Sequence, residues 1–210
     1  LTPEIPIISE EAGLPDFDER RQWDCYWLID PLDGTKEFVN RNGEFTVNIA
    51  FIRHHKPVLG VVHVPVRKTT YIGCEGLGAE RRESDQAPER INVALESSSP
   101  VRVVGSRSHL GDSLNVFLER LGDFEMHPMG SSLKFCLVAE GGADIYPRLG
   151  LTSEWDTAAA QAVVEQAGGQ VLELDGSSLS YNKKENILNP HFLVIGAQDH
   201  DWLGLAQRDA

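Results

Sequence analysis

The chain of 210 residues is long enough to bury the core of one large domain or of two small ones. Its hydrophobic content of 41% and charged content of 24% are ordinary for a globular enzyme. The formal net charge of −13 argues against non-specific binding to a nucleic-acid polymer or to an anionic membrane surface. An anionic substrate would therefore need metal ions or a local group of cations. No apolar run approaches the roughly 20 residues of a transmembrane helix.

The cysteines are three in number and widely spaced, and none forms a CxxC pair: Cys25, Cys74 and Cys136. An odd set without pairing motifs is most simply explained by reduced thiols. We therefore expect a cytoplasmic protein.

The first half of the chain predicts mainly strands. In chain order we expect a strand over 5–8, a loop over 12–24, a strand over 26–29, a short helix over 36–40 and an antiparallel meander with strands over 45–51, 58–64 and 69–74. The strand over 45–51 alternates apolar and polar residues, which is the period of a half-buried strand. Residues 80–100 are polar and contain a Ser-Ser-Ser-Pro run. We place a domain boundary there, with an α+β domain over 1–98.

The second half alternates helices with strands. Strands are expected over 101–104, 143–146, 171–174 and 192–195, with helices over 110–121, 131–140 and 156–167 and a terminal helix from about 198. Glycines follow the ends of the first three helices, as is typical of helix C-termini. The alternation predicts an α/β domain over 99–210.

The most informative stretch is 30–35, Asp-Pro-Leu-Asp-Gly-Thr, which follows an apolar strand. Pro31 is expected to turn the chain, because it cannot continue a central strand. Two carboxylates, Asp30 and Asp33, then face one point and repel each other unless a cation is present. Gly34 allows a left-handed turn, and Thr35 places a hydroxyl at a helix start. Oxygen ligands of this kind suit Mg²⁺. The alternative is an Asp-rich turn that is held by its own hydrogen bonds.

Two further carboxylates also fall at the ends of predicted elements. Glu10 follows the first strand, and Asp156 precedes an alanine-rich helix. Taken alone, Asp156 would simply be the N-cap of that helix. Together with the 30–35 motif, these acids indicate a site at the carboxyl ends of strands, where open α/β sheets bind ligands. The helix N-terminus also favours a phosphate group.

These motifs resemble the inositol-monophosphatase superfamily of Mg²⁺-dependent, Li⁺-sensitive phosphatases. The matching stretches are Ser-Glu-Glu over 9–11, the 30–35 motif, Trp-Asp over 155–156 and Glu-Gln-Ala-Gly-Gly over 165–169. Within it, residues 106–109, 130–135 and 146–148 resemble the bisphosphate-nucleotidase branch. The resemblance implies a layered α/β/α/β/α sandwich. The first helices of that fold have no counterpart here, so we expect roughly 50 or more residues before Leu1 in the native protein.

The resemblance also implies a site. Two or three Mg²⁺ ions would be bound by four carboxylates and one carbonyl: Glu10, Asp30, Leu32 (its carbonyl), Asp33 and Asp156. The backbone N–H groups of Gly34 and Thr35 would hold the scissile phosphate. Thr35 and Glu10 would orient the attacking water, with Asp33 as a further catalytic group. The family places another Asp upstream of Glu10 to support the threonine, and this chain has none.

The implied substrate is a small nucleotide bisphosphate, 3′-phosphoadenosine 5′-phosphate, hydrolysed to AMP and phosphate. His109, Ser131, Lys134 and Arg148 would contact its second phosphate and nucleoside. From position alone, the two cations could be ordinary surface residues and His109 a solvated loop residue. The alternatives are an inositol or sugar phosphatase of the same superfamily and, from another class, a non-catalytic nucleotide- or metal-binding regulator. The resemblance allows peripheral attachment to the inner membrane as well as a cytoplasmic location, and leaves the oligomeric state open.

Overall fold

The computed structural model describes residues 2–84, 86–106 and 111–207. These residues form two sheets, of seven and five strands. The strands are β1 (Ile7–Ser9), β2 (Cys25–Asp33), β3 (Thr46–Arg53), β4 (Lys56–Val64), β5 (Thr69–Cys74), β6 (Gly78–Glu83), β7 (Glu89–Ile91), β8 (Val101–Gly105), β9 (Phe124–Pro128), β10 (Ile145–Arg148), β11 (Gln170–Glu173) and β12 (Phe192–Ile195). The helices are α1 (Phe17–Arg20), α2 (Thr35–Val39), α3 (Asp112–Leu121), α4 (Leu133–Ala139), α5 (Glu154–Gln166) and α6 (Trp202–Gln207).

The first sheet runs in sequence order from β1 to β7. β1 pairs parallel to β2, and every later pair is antiparallel, so the predicted meander is confirmed. The prediction ended too early, because it missed β6 and β7. Both carry mostly charged residues, which hide the strand period. In β6 the buried position is Ala79, and Arg81 pairs with Glu140 of the second half.

The prediction that Pro31 ends the strand is wrong. β2 continues through Pro31 to Asp33, and its pairing with β3 shifts register between Asp30 and Asp33. A bulge of this kind takes up a residue that cannot donate to the ladder. It also changes the direction of the side chains at the carboxyl end of the strand, where both acids lie.

The second sheet has the order β11-β12-β10-β8-β9. The strands β8, β9 and β10 are parallel, and β12 pairs antiparallel with β10 and β11. The prediction missed β9, because its alternation of apolar and polar residues, Phe-Glu-Met-His, is short and ends at a proline.

Helix α5 connects the two halves of the chain. It comes from the second half, but it packs against β3, β4 and β5 of the first sheet. Its alanines, including Ala159 and Ala162, are buried, and a Cβ at Gly60 of β4 would overlap the Ala159 carbonyl. These small residues let the helix backbone lie close to the sheet. One apolar core therefore contains residues of both halves. The first sheet ends at Ile91 and the second begins at Val101, and the division into two domains there stays a prediction.

In the part of the chain that the structure describes, no helix is both long and apolar enough to cross a membrane.

Candidate active site

Three carboxylates converge between the two halves of the chain. Asp30 and Asp33 come from the end of β2, and Asp156 comes from the first turn of α5. Each offers an oxygen atom, and these atoms lie within 4.8 Å of one another. Asp30 is 1% exposed, and the other two are half-buried. The sequence motif 30–35 and the Trp-Asp motif 125 residues further on are thus parts of one site.

Each of the three acids accepts a backbone N–H on one oxygen. Leu32 donates to Asp30 Oδ1 at 2.8 Å, Ser132 to Asp33 Oδ2 at 2.6 Å, and Ser153 to Asp156 Oδ2 at 2.9 Å. These hydrogen bonds fix the rotation of each carboxyl group, and so the direction of its second oxygen.

The prediction that Asp156 is the N-cap of its helix is wrong. The helix begins at Glu154 and its N-cap is Ser153, so Asp156 stands three residues later. From that position its carboxylate accepts the N–H of the N-cap residue, as the acid of a capping box does. The Ser-Glu-Trp-Asp pattern over 153–156 would have predicted this arrangement.

The acids repel each other strongly in the absence of a cation. Burial, followed by the charge of Asp33, raises the pKa of Asp30 to about 8. Burial and Asp33 also raise the pKa of Asp156 to about 7. A divalent cation would relieve both effects, because it replaces the lost hydration and neutralises the charge. The donor set contains only oxygen atoms, which fits Mg²⁺ rather than a softer metal.

Stability in the absence of Mg²⁺ is therefore expected to decrease as pH rises from about 4 to about 8. In this window Asp30 and Asp156 hold protons in the folded protein that the unfolded chain has already released. The melting temperature in EDTA should be lower at about pH 8 than at about pH 5.5, and Mg²⁺ should raise it most at the higher pH. Asp30→Asn should flatten the dependence. A melting temperature in EDTA that increases across this range would contradict the account.

The remaining residues of the predicted metal site lie at the same edge of the sheet. Glu10 opens a single 3₁₀ turn directly after β1, whose carboxyl end lies beside that of β2. Its side chain is exposed, and its charge contributes to the raised pKa of Asp30 and of Asp156. It is not one of the three acids whose oxygens lie within 4.8 Å of one another. Leu32 lies within the β2 bulge, where it is half-buried.

Gly34 and Thr35 join the strand to helix α2. Gly34 is left-handed, with φ 90°, and Thr35 is the exposed first residue of the helix. A Cβ at Gly34 would lie 3.2 Å from both Ser131 Cβ and Glu37 Oε2. The turn therefore requires glycine both for its conformation and for the close approach of the 131 loop.

Gly34→Ala is expected to lower both stability and activity. The left-handed conformation alone costs an alanine about 1–2 kcal/mol, and the contacts with Ser131 and Glu37 add to it. Gly76→Ala is the matched control, because Gly76 has φ 75° and a Cβ there would meet nothing within 4 Å. Urea unfolding should show a larger loss of stability in Gly34→Ala than in Gly76→Ala. The value of kcat/KM should fall in Gly34→Ala and stay unchanged in Gly76→Ala. Equal stability losses with unchanged activity would mean that the close approach has no role.

A cleft of about 100 Å³ opens beside the acids. Its lining includes Asp33 and Asp156 together with the predicted substrate residues Ser131, Lys134 and Arg148. The structure thus brings these substrate residues next to the carboxylates. His109 lies outside the described residues.

The alternative that Lys134 is a surface cation is wrong, because it is only 8% exposed. Its Nζ donates to the Ser131 carbonyl at 2.7 Å and lies 5.4 Å from the centre of the Tyr146 ring. Burial lowers its pKa to about 8. A buried cation at the wall of a cleft is poised to bind an anion.

Arg148 is half-buried on the same wall. Its Nη2 donates to the Leu151 carbonyl, while its buried Nε has no hydrogen-bond partner among the described residues. An unpaired guanidinium N–H is costly to bury unless a ligand accepts from it. Ser131, between this wall and Gly34, has φ 47°, which is uncommon for a residue other than glycine.

The model of the inositol monophosphatase family matches residues 1–203. The chain therefore belongs to the inositol monophosphatase family. It is 50% identical over 194 residues to the 3′(2′),5′-bisphosphate nucleotidase CysQ of Salmonella typhimurium, with 92% of this chain and 77% of that protein covered. It is 48% identical over the same length to CysQ of Escherichia coli K12, with the same coverage of each.

Solved structures agree with the family assignment. The crystal structure of CysQ from Bacteroides thetaiotaomicron matches with a TM-score of 0.83 and 43% identity, over 93% of this chain and 78% of that one. An inositol monophosphatase from Thermotoga maritima matches with a TM-score of 0.76 and 27% identity, over 97% of this chain and 74% of that one. The α/β fold that the sequence motifs imply is therefore confirmed.

Proposed function

We propose that this protein is a Mg²⁺-dependent phosphatase that converts 3′-phosphoadenosine 5′-phosphate to AMP and phosphate. The observation that carries the proposal is one cleft that combines acids and cations. Its lining includes Asp33 and Asp156, two of the three converging carboxylates, together with the cations Lys134 and Arg148. A substrate with two phosphates has one group for the acids and their Mg²⁺ and one for the cations. The nucleotidase names of the similar CysQ proteins support the same reading.

The site would hold Mg²⁺ through Glu10, Asp30, Asp33, Asp156 and the Leu32 carbonyl. Bound there, Mg²⁺ would neutralise the phosphate and lower the pKa of the attacking water. The N–H groups of Gly34 and Thr35 would hold the phosphate, and Thr35 and Glu10 would direct the water in line. Water adds its oxygen to phosphorus, the bond to the 3′-oxygen breaks, and that oxygen gains a proton.

A second hollow, of about 320 Å³, adjoins the cleft and shares Tyr146 and Arg148 with it. Its other lining residues include Ser106, Pro147 and Leu149. The mixture of apolar and polar groups is suited to a nucleoside, which needs a surface for the base and partners for the sugar. Arg148, at the junction of the two, would bind the 5′-phosphate, the second phosphate of the substrate.

The test of the proposal is a panel of substrates, each assayed for phosphate release with and without Mg²⁺. The panel includes the adenosine bisphosphate, adenosine 3′-phosphate, inositol 1-phosphate and fructose 1,6-bisphosphate. We expect the highest kcat/KM on the adenosine bisphosphate and inhibition by Li⁺. A preference for inositol or fructose phosphates would favour another phosphatase of the family. Absence of release from every compound would favour a non-catalytic regulator.

We also propose that the protein acts in the cytoplasm. Its three cysteines are free in the structure, and Cys136 is buried within α4. Free thiols are typical of a reducing compartment. Peripheral attachment to the inner membrane is the alternative, and fractionation of cells would separate the two.

A further inference from the structure

Ser132 lies at the centre of the site, although no role was predicted for it within the matching stretch 130–135. It is 1% exposed and is the N-cap residue of α4. A serine at an N-cap ordinarily accepts a hydrogen bond from its own helix. Here its side chain makes no such bond. The hydroxyl points instead across the boundary between the two halves of the chain.

Its polar atoms contact two of the three acids. The N–H and the hydroxyl both lie 2.6 Å from the same oxygen, Asp33 Oδ2. The hydroxyl also lies 2.6 Å from the carbonyl oxygen of Asp156. One serine therefore contacts Asp33 of β2 and Asp156 of α5.

Asn48 of β3 completes the arrangement from the sheet. Its Nδ2 donates to the Ser132 hydroxyl at 2.8 Å and lies 3.3 Å from Asp33 Oδ2. Since the hydroxyl accepts from Asn48, its single proton is donated to Asp33 or to the Asp156 carbonyl. The carboxylate is the stronger acceptor. Thr46 adds a further donor to Asp33 Oδ2, at 3.3 Å.

We propose that Ser132 is a positioning residue that sets the Mg²⁺ affinity of the site. The inference rests on the Mg²⁺ site of the proposed function. Donors converge on Asp33 Oδ2 and so fix the direction in which the other oxygen of that carboxylate points. The hydroxyl also contacts the Asp156 carbonyl oxygen, at 2.6 Å, so that the first turn of α5 lies at a set distance from β2. Ser132 thereby aligns acids from both halves of the chain before a cation arrives.

The test compares three variants. Ser132→Ala removes the hydroxyl and keeps the N–H, and Ser132→Cys keeps the size but has a much weaker donor. Cys136→Ala is the control, because Cys136 is fully buried one turn further along α4 and, among the described residues, its thiol makes no hydrogen bond to the three acids. Loss of a group that orients a metal ligand typically weakens metal binding about 10–100-fold.

The main measurement is the dissociation constant for Mn²⁺, as a probe for Mg²⁺, from the EPR signal of the free ion. We expect about a ten-fold increase or more in both Ser132 variants and none in Cys136→Ala. The preference for bisphosphate over monophosphate should not change. If either Ser132 variant folds and keeps the wild-type dissociation constant for Mn²⁺, the positioning role of Ser132 is wrong and the proposed function is unaffected. Absence of Mn²⁺ binding in the wild type overturns the proposed function with it. If neither variant folds while Cys136→Ala does, Ser132 is needed for folding and the positioning role is wrong.

Discussion

Asp33→Asn is expected to remove Mg²⁺-dependent activity while the protein stays folded. Asp33 is the acid whose charge raises the pKa of both Asp30 and Asp156, so its carboxylate lies at the centre of the repulsion. Asparagine has nearly the same shape and lacks the charge. Because loss of a residue that merely orients a metal ligand costs about 10–100-fold, loss of a ligand should lower kcat/KM by at least about a hundred-fold.

Stability should change in the opposite direction. In EDTA, the melting temperature of Asp33→Asn should equal or exceed that of the wild type, because one of the mutually repelling charges is gone. The increase that Mg²⁺ produces in the wild type should be lost along with binding. Asp24→Asn, an exposed aspartate just before β2, is the matched control and should leave both properties unchanged. Near-normal activity and Mg²⁺ response in Asp33→Asn would mean that the acids are not a metal site.

The second large loss of activity is expected when Lys134 or Arg148, the two cations of the cleft, is replaced. The carboxylates and their Mg²⁺ would take the scissile phosphate, so the other phosphate needs Lys134 and Arg148. A hydrogen bond between charged groups contributes about 1.5–3 kcal/mol. Lys134→Met or Arg148→Met should therefore lower kcat/KM for the adenosine bisphosphate roughly ten- to a hundred-fold.

The loss should be selective for the substrate with two phosphates. Methionine keeps the apolar stem of Lys134, whose Nζ lies over the Tyr146 ring, so a packing defect is kept small. Hydrolysis of adenosine 3′-phosphate, which carries only the scissile group, should change much less. Lys183→Met, at an exposed lysine, is the control. Equal losses on the two substrates would mean that these residues support the fold or the acids rather than the second phosphate.

Short-range patterns predicted the regular parts of the fold. The strands β3, β4 and β5 show apolar alternation or apolar runs, and each was predicted to within a few residues. β6 and β7 were missed because charged side chains occupy their solvent-facing positions and pair across the sheet, as Arg81 does with Glu89. In β2, a bulge allows Pro31 inside the strand, which no local rule indicates.

The sequence predicted the acids of the candidate site but not the residues that orient them. The motifs placed Asp30, Asp33 and Asp156 together, and the structure agrees with that grouping. The roles of Ser132 and Asn48 depend on hydrogen bonds between residues that are far apart in the chain, 99 positions from Asp33 to Ser132. The burial of Lys134 likewise follows from the packing of α4 against α5, β8 and β10. Contacts of this kind have no signature in a single sequence.

Under the proposed function, this chain removes the 3′-phosphate of an adenosine bisphosphate with the help of Mg²⁺. The most direct measurement is to incubate the purified protein with 3′-phosphoadenosine 5′-phosphate and to identify the products by ³¹P NMR. We expect AMP with its 5′-phosphate retained, together with one equivalent of inorganic phosphate, in the presence of Mg²⁺ and not in EDTA. Formation of adenosine 3′-phosphate, or an equal rate in EDTA, would contradict it.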